Sequence, residues 1–531
     1  MPAPRRPETL STALALALTA SVALGLRAGE LATYTTRLWG PERPWVHRDF
    51  LGAWWLFWAA AHPGDDLARQ SWPDGALPIQ QLVPNPFDAW LLGPLVDRLP
   101  FPLWWNLLQQ GHHLGNVLAA TWLARALGAR AGSAAVAGAL VAASPVMLHE
   151  IAGGRTLSGV AWPGLLGLAL LLRGRAVVAG LLIGLQGLCY VYTGLLFGLV
   201  ALLLRPAWGL LAAALPMAPY LWWLLPAWDD AQARPPDAGF SRLPVAGLLG
   251  LGAVHERYLV HPLLLLGLPG ALLPRGGWRL LLAILLCLLV ALGPFPSWAG
   301  GDRLFVSPLA WAGAVWEPLG RQHHPIRAVL LLLPLLAAGL ARLLDRLPGA
   351  PALLLLVLPW SHALRMAAPT APLPAPEGLA AATWLAEQGG GAVIDLTGNH
   401  GGALALQPVH DRPMLEGLRK ELPEKGREAG WLRAGVDPWL AGQRVTPATL
   451  AHLARAGFTH VLVVERGAPV PRDALEADLG APVFPGVYAL RAAPATPAGT
   501  TRPRRRRRAS ASRSRRSRRG PPPSPRRRRC R

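Results

Sequence analysis

Asp49 is the lone acid in the stretch "WVHRDFLGAWWLFWAAAH", with His47 and Arg48 before it and a tryptophan-rich apolar run after it. A carboxylate beside cations at the edge of an apolar segment has two chemical uses. It takes a proton from a hydroxyl within hydrogen-bond reach, or it forms an interfacial ion pair with Arg48 or His47 that anchors the chain. Further along, Arg155, Arg321 and Arg327, with His323 and His324, join Arg48 as cations able to stabilise developing negative charge. Tyr190 and Tyr192 suit an aromatic belt. Which use applies depends on the side of a membrane each residue occupies.

The elements that must position these residues are mostly apolar. The chain has 531 residues, 52% hydrophobic and only 15% charged, with mean hydropathy +0.30. That composition excludes an ordinary soluble enzyme and one small domain, and points to a polytopic membrane protein. The formal net charge of +22 looks like a nucleic-acid signature. Sixteen arginines and no acid lie in Arg502–Arg531, however, so removing those 16 charges leaves +6 on the rest. Cys189, Cys287 and Cys530 are too scattered for a disulfide framework or a zinc site. The basic start and apolar run of "MPAPRRPETLSTALALALTASVALGL" suit a signal peptide or a first transmembrane helix.

A bilayer core of roughly 30 Å takes about 20 mostly apolar helical residues. Eleven segments meet or approach that pattern, near residues 9–28, 103–124, 131–149, 157–172, 176–189, 191–204, 207–226, 258–274, 278–297, 326–344 and 348–363. The division within 176–204 is the weakest, because one long tilted helix would invert everything after it. The basic residues argue for the division. Arg5 and Arg6, Arg125 and Arg130, Arg173 and Arg175, Arg205, Arg275 and Arg279, and Arg342 and Arg346 fall in every second connection, as cytoplasmic loops require. The N-terminus is then inside. Residues 29–102, 227–257, 298–325 and the chain after about 364 are outside, Asp49 among them.

The fold class expected is therefore mainly α: a membrane helix bundle of about 11 transmembrane helices over residues 1–364, with a long first exterior loop at 29–102. Within that loop, "DFLGAWWLFWAAAH" reads as an interfacial helix anchored by Trp54, Trp55 and Trp58. A second apolar stretch at 87–96 is too short to span. His112 and His113 fall within the second span and are expected to pair with backbone carbonyls. From 365 to 495 the composition changes to that of a small exterior α/β domain. "GAVIDLTG", "THVLVVE" and "GVYALRAA" read as strands and "TPATLAHLARAG" as a capped helix with a glycine stop. "TGNHGG" reads as a turn, since no lysine follows as a phosphate loop needs. Residues 496–531, rich in Arg, Ser and Pro, have nothing to bury and read as a disordered tail, or as a reading-frame artefact. Exterior placement argues against nucleic acid as its partner.

Several blocks carry a resemblance: "RDFLGAWWLFW", "PDGALPIQQLVPNPFDAWLLGPL", the stretch from "WWNLLQQGHHLGNVLAATW" to "VMLHEIAGG", "QGLCYVYTGLLFGLVALLL", "RQHHPIRAVLLLLPLLAAGLARLL", and "ALALQPVHDRPMLEGL" followed by "GFTHVLVVE". Together they resemble the GT-C superfamily of polytopic membrane glycosyltransferases, as found among bacterial integral membrane proteins. The resemblance implies a sugar donor on a polyprenyl phosphate, an unknown acceptor, and multi-pass placement in the bacterial inner membrane with the C-terminal domain exterior or periplasmic. It also implies that an exterior acid near the end of the first helix acts as general base or metal ligand. Asp49 is the matching position. Arg48, Arg155, Tyr190, Tyr192, Arg321, His323, His324 and Arg327 are the implied substrate-binding set. The sequence departs from the pattern in having no acidic pair at Asp49 and no D-x-D motif, so no metal ligand is assigned and a divalent-metal requirement stays open. The alternative reading is a non-enzymatic relative: a transporter of lipid-linked glycan or an envelope assembly scaffold. Scarce intramembrane ionisable residues weigh against transport.

Overall fold

A computed structural model of the chain describes residues 6–25, 33–40, 48–62, 85–96, 98–144, 146–147, 150, 159–231, 244–248, 262–273, 277–298, 303–315, 325–347, 370–372, 377–396, 402–415, 428–464 and 470–490. Its first part is helical. Helix α1 (Arg6–Gly25) precedes a short strand β1 (Arg37–Trp39), α2 (Arg48–Ala61), α3 (Pro86–Val96), α4 (Leu103–Ala126), α5 (Ala131–Ala142), α6 (Trp162–Leu172), α7 (Ala176–Cys189) and α8 (Val191–Leu204). A 3-10 turn leads into α9 (Ala214–Ala231), followed by α10 (Gly267–Leu272), α11 (Trp278–Leu292), α12 (Pro308–Val315) and α13 (Val329–Leu344).

Helix α13 is apolar on every face as far as Arg342 in its last turn, and such a helix belongs in the middle of a bundle. It packs against α4, α5, α10 and α11, with Leu330 to Leu333 and Leu335 to Leu336 all buried. Against α10 the backbones touch: a Cβ added to Gly270 would sit 2.0 Å from the Gly339 carbonyl oxygen, so only glycine permits this approach. Helices α1, α4 and α5 pack together on one side, and α6, α7 and α8 form a second group that meets α11.

Ten of the eleven expected spans coincide with helical segments, and 348–363 lies outside the described residues. Lengths differ from expectation. Among the described residues, only Pro325–Leu344, at 20 residues, is long and apolar enough to cross a membrane, and 89% of that window is buried inside the protein. The segments at 131–142, 162–172, 176–189, 191–204 and 278–292 are shorter apolar helices.

The doubtful segment at 176–204 is two helices. Tyr190 adopts φ −161° and ψ 115°, which breaks the helical path between α7 and α8. The two helices then fold against each other so closely that a Cβ on Gly194 would lie 2.4 Å from the Gly187 Cα. Gln186 stabilises the break by accepting from Gly164 N–H at 3.2 Å and donating to the Val160 carbonyl at 2.8 Å and to Thr193 Oγ1 at 3.1 Å.

The C-terminal part mixes both element types: β2 (Thr370–Pro372), α14 (Leu379–Gln388), β3 (Ala392–Asp395), α15 (Gly402–His410), α16 (Glu428–Leu440), α17 (Pro447–Arg455), β4 (Phe458–Leu462), α18 (Arg472–Leu479) and β5 (Val487–Ala489). The three expected strands form one sheet in the order β3-β4-β5, parallel then antiparallel. The expected capped helix is α17: Thr446 Oγ1 accepts from Thr449 N–H at 3.2 Å, and Gly457 turns the chain at φ +88°. Of "TGNHGG", only Gly402 is described, and it opens α15.

This part docks on the first loop. Strand β1 pairs antiparallel with β2, Leu38 facing Ala371. Helix α15 packs on α2, and Met414 joins a core of Phe50, Phe57, Trp104 and Trp105. The expectation that Trp55 anchors in the membrane is thereby corrected. Its ring is 1% exposed, and its indole N–H donates to Gln407 Oε1 at 2.8 Å. An indole that finds both apolar cover and a hydrogen-bond acceptor inside the protein has no need of the headgroup layer. Trp54 and Trp58 are partly buried against the same core.

Candidate functional site

Helix α4 carries Asn106, Gln109, Gln110, His112, His113 and Asn116, all buried, in groups three or four residues apart. Such spacing lays them along one stripe of the helix, and buried polar groups require partners. At one end Asn106 ties down the first loop: its Oδ1 accepts from Trp39 N–H at 2.7 Å, and its Nδ2 donates to the carbonyls of Tyr34 at 2.9 Å and Arg37 at 2.7 Å. At the other end Asn116 accepts from Ala161 N–H at 2.8 Å and donates to the Gly159 carbonyl at 2.6 Å, holding the start of α6.

Between these ends lies a buried carboxylate. Asn85 caps α3: its Oδ1 accepts the Asp88 backbone N–H at 3.0 Å, and its Nδ2 donates to Asp88 Oδ2. The reciprocal pairing of cap and third helical residue satisfies the helix end and directs the Asp88 carboxylate inward. His112 Nε2 lies 2.9 Å from the same Oδ2, and Trp162 Nε1 lies 3.3 Å from His112 Nδ1. Because an indole N–H only donates, Nδ1 must accept, so the proton sits on Nε2 and is given to Asp88. The expectation of a carbonyl partner for His112 is corrected: a carboxylate holds one nitrogen and an indole the other. His113 instead meets the Trp39 ring edge-on at 6.2 Å. Asp88 is fully buried, and its Oδ1 has no hydrogen-bond partner. Gln109, one turn from His112, is likewise buried with both amide atoms unpaired.

A second cluster sits at the α7–α8 break. Arg327 Nη1 donates to the Tyr190 hydroxyl at 2.9 Å, its guanidinium lies 5.1 Å from the centre of the Tyr190 ring, and the Tyr190 and Tyr192 rings are 5.7 Å apart. The cation is held over an aromatic face as well as by a hydrogen bond. Helix α7 also packs on α3, the helix that carries Asp88.

Of the residues singled out from sequence, Tyr190, Tyr192 and Arg327 come together. Asp49 and Arg48 open α2, with their side chains outside the described part. Arg155, Arg321, His323 and His324 lie outside the described residues. Asp88 was missed. Its local signal was the "NPFD" stretch, an asparagine cap with proline at the first helical position and an acid at the third. No group of three or more His, Cys, Asp or Glu side chains suited to a metal occurs among the described residues.

No family model matches the chain, and no curated protein matches it. Among solved structures it is similar to the arabinofuranosyltransferase AftD from mycobacteria, with TM-score 0.50 and 17% identity over 87% of this chain and 35% of that one. A second structure, of a mutant of the same enzyme, gives TM-score 0.50 and 17% identity over 87% of this chain and 36% of that one. The chain spans about a third of the length of those structures. At this identity the likeness is one of fold alone.

Proposed function

We propose that the chain is a membrane glycosyltransferase of GT-C type that moves a sugar from a polyprenyl-phosphate donor to an acceptor at the exterior face. The observation that carries this reading is the Arg327–Tyr190–Tyr192 cluster. A guanidinium presented at a helix break, with aromatic rings beside it, suits a phosphate on an isoprenoid chain, because it offers charge-assisted hydrogen bonds to the one and apolar surface to the other. The shared fold with an arabinofuranosyltransferase adds weight and makes arabinofuranose the first sugar to try. In this reading Arg327 binds the leaving phosphate and Asp49, at the start of α2, serves as base or metal ligand. The α/β part, tied to α2 through Trp55 and Gln407, helps hold the acceptor.

The test is transfer by the purified protein in lipid nanodiscs from short-chain polyprenyl-phosphoryl arabinofuranose, and from hexose equivalents, to an oligosaccharide. Arg327→Gln is expected to raise the donor KM, and Asp49→Asn to abolish transfer with expression and topology intact. A wild-type protein that transfers no sugar, in a host whose deletion strain accumulates complete lipid-linked glycan on the inner leaflet, would replace this reading with transport.

A further inference from the structure

The Asp88 carboxylate is an unusual investment for a helical bundle. It is fully enclosed, and both of its donors, His112 and Asn85, converge on Oδ2. Oδ1 is left with an unmet demand for a donor, and an unsatisfied buried acceptor is costly, more so when charged. The N-terminus of α3 spreads part of the charge but supplies Oδ1 with no hydrogen bond. Gln109, on the same stripe of α4, adds an unpaired amide. Polar groups retained at such cost are accounted for when a ligand completes them.

The surroundings specify the kind of ligand. Phe87 and Trp162 are both half-buried, their rings 6.2 Å apart at 60°, and Trp162 is bonded to His112 itself. Hydrogen-bonding groups backed by aromatic rings match a molecule with hydroxyls at its rim and C–H groups on its faces. A bare phosphate would be repelled by the carboxylate, and a wholly apolar tail would leave Oδ1 unpaired.

We propose that Asp88, with Phe87 and Trp162 beside it, forms a sugar-binding subsite in which Oδ1 accepts a ring hydroxyl of the donor, His112 acting as the positioning residue that fixes the carboxylate. The proposal rests on the polyprenyl-phosphate reading of the function and adds to it where the sugar lies and what reads it.

Binding to the full-length protein in nanodiscs tests it with two probes, a short-chain polyprenyl-phosphoryl arabinofuranose and the same polyprenyl phosphate without sugar. Wild type binds the sugar-bearing probe more tightly. Asp88→Asn is expected to reduce that preference by about 10- to 100-fold, the worth of one hydrogen bond to a charged group, while affinity for the bare phosphate stays the same and so reports an intact fold. Trp162→Ala is expected to cut the same preference, whereas Arg327→Gln weakens both probes together. An Asp88→Asn protein that keeps the wild-type preference, or that loses both probes equally, overturns the subsite. A wild-type protein that binds neither probe instead brings down the donor assignment itself, and the subsite with it.

Discussion

The Trp55 indole N–H donates to Gln407 Oε1 over 2.8 Å, although 352 positions of sequence separate the two residues. Both are buried, and the bond joins the helix that begins with Arg48 and Asp49 to the C-terminal α/β part. Whatever Asp49 does is therefore mechanically linked to α15, and four predictions follow from this and three other contacts.

Removing the Trp55 side chain should loosen both partners at once. Trp55→Ala deletes a large buried ring, at a cost of about 3–5 kcal/mol, and leaves the Gln407 carbonyl without its donor. Hydrogen exchange by mass spectrometry is expected to show faster exchange in residues 48–61 and 402–415 together. Faster exchange in only one of them would mean that the two elements are not coupled through this pair.

The α7–α8 hairpin depends on glycine. Gly194→Ala places a methyl 2.4 Å from backbone at Gly187, which has no side chain to swing aside. Overpacking of this kind costs typically about 1–3 kcal/mol, so a lower Tm is expected. Gly198→Ala, four residues on with nothing within 4 Å of the new methyl, should leave Tm unchanged or slightly raised. Equal effects of the two substitutions would show that the hairpin is not packed this closely.

Acid should weaken the α/β part through His410. Burial, then the nearby Arg412 charge, pushes this imidazole down to about 3, against about 6.5 in an unfolded chain. The folded state thus refuses a proton that the unfolded state takes. The stability contributed is complete above about pH 6.5 and falls as pH drops towards about 3, by up to roughly 1.4 kcal/mol per pH unit. His410→Gln should flatten that part of the stability profile measured by denaturant unfolding, and an unchanged slope would locate the acid sensitivity elsewhere.

Asp478 gives a second, lower acid transition. Burial alone would raise its carboxyl, but hydrogen bonds from Arg444 Nε at 2.6 Å, Trp439 Nε1 at 3.0 Å and Val445 N–H at 2.9 Å, with the Arg444 charge, hold it below the usual carboxylate range. A depressed carboxyl stabilises the fold above its unfolded value of about 3.9, and the benefit is lost as pH falls through the folded value. Asp478→Asn should destabilise at about pH 7 and converge with wild type once pH falls below the lowered folded-state value. Arg444→Met should cost less than about 1 kcal/mol, because that side chain is 69% exposed and water screens its charge. A larger loss from Arg444→Met would make the ion pair, rather than the neutral donors, the main support.

The sequence alone was sufficient for elements whose signals are local. Apolar runs bounded by arginine, glycine or proline located the helices, β-branched runs between turns located β3, β4 and β5, and Thr446 with Gly457 marked both ends of α17. Even the break inside 176–204 could be inferred, from the alternation of arginines on either side of it. These signals persist in the sequence because main-chain hydrogen bonding and capping act over three or four residues.

Pairings between distant side chains were decided by the tertiary structure alone. "FLGAWWLFW" marks an aromatic helix, but an indole can serve a membrane interface or a protein core equally well, and only the path of the chain brings Gln407 to Trp55. Likewise a histidine in an apolar run reads as bonded to its own backbone until Asp88, 24 residues away, is placed against it by the turn at Asn85. Local propensity sets where each element begins and ends; which groups meet is fixed by how the elements pack, and that is where the chemistry of the candidate site arises.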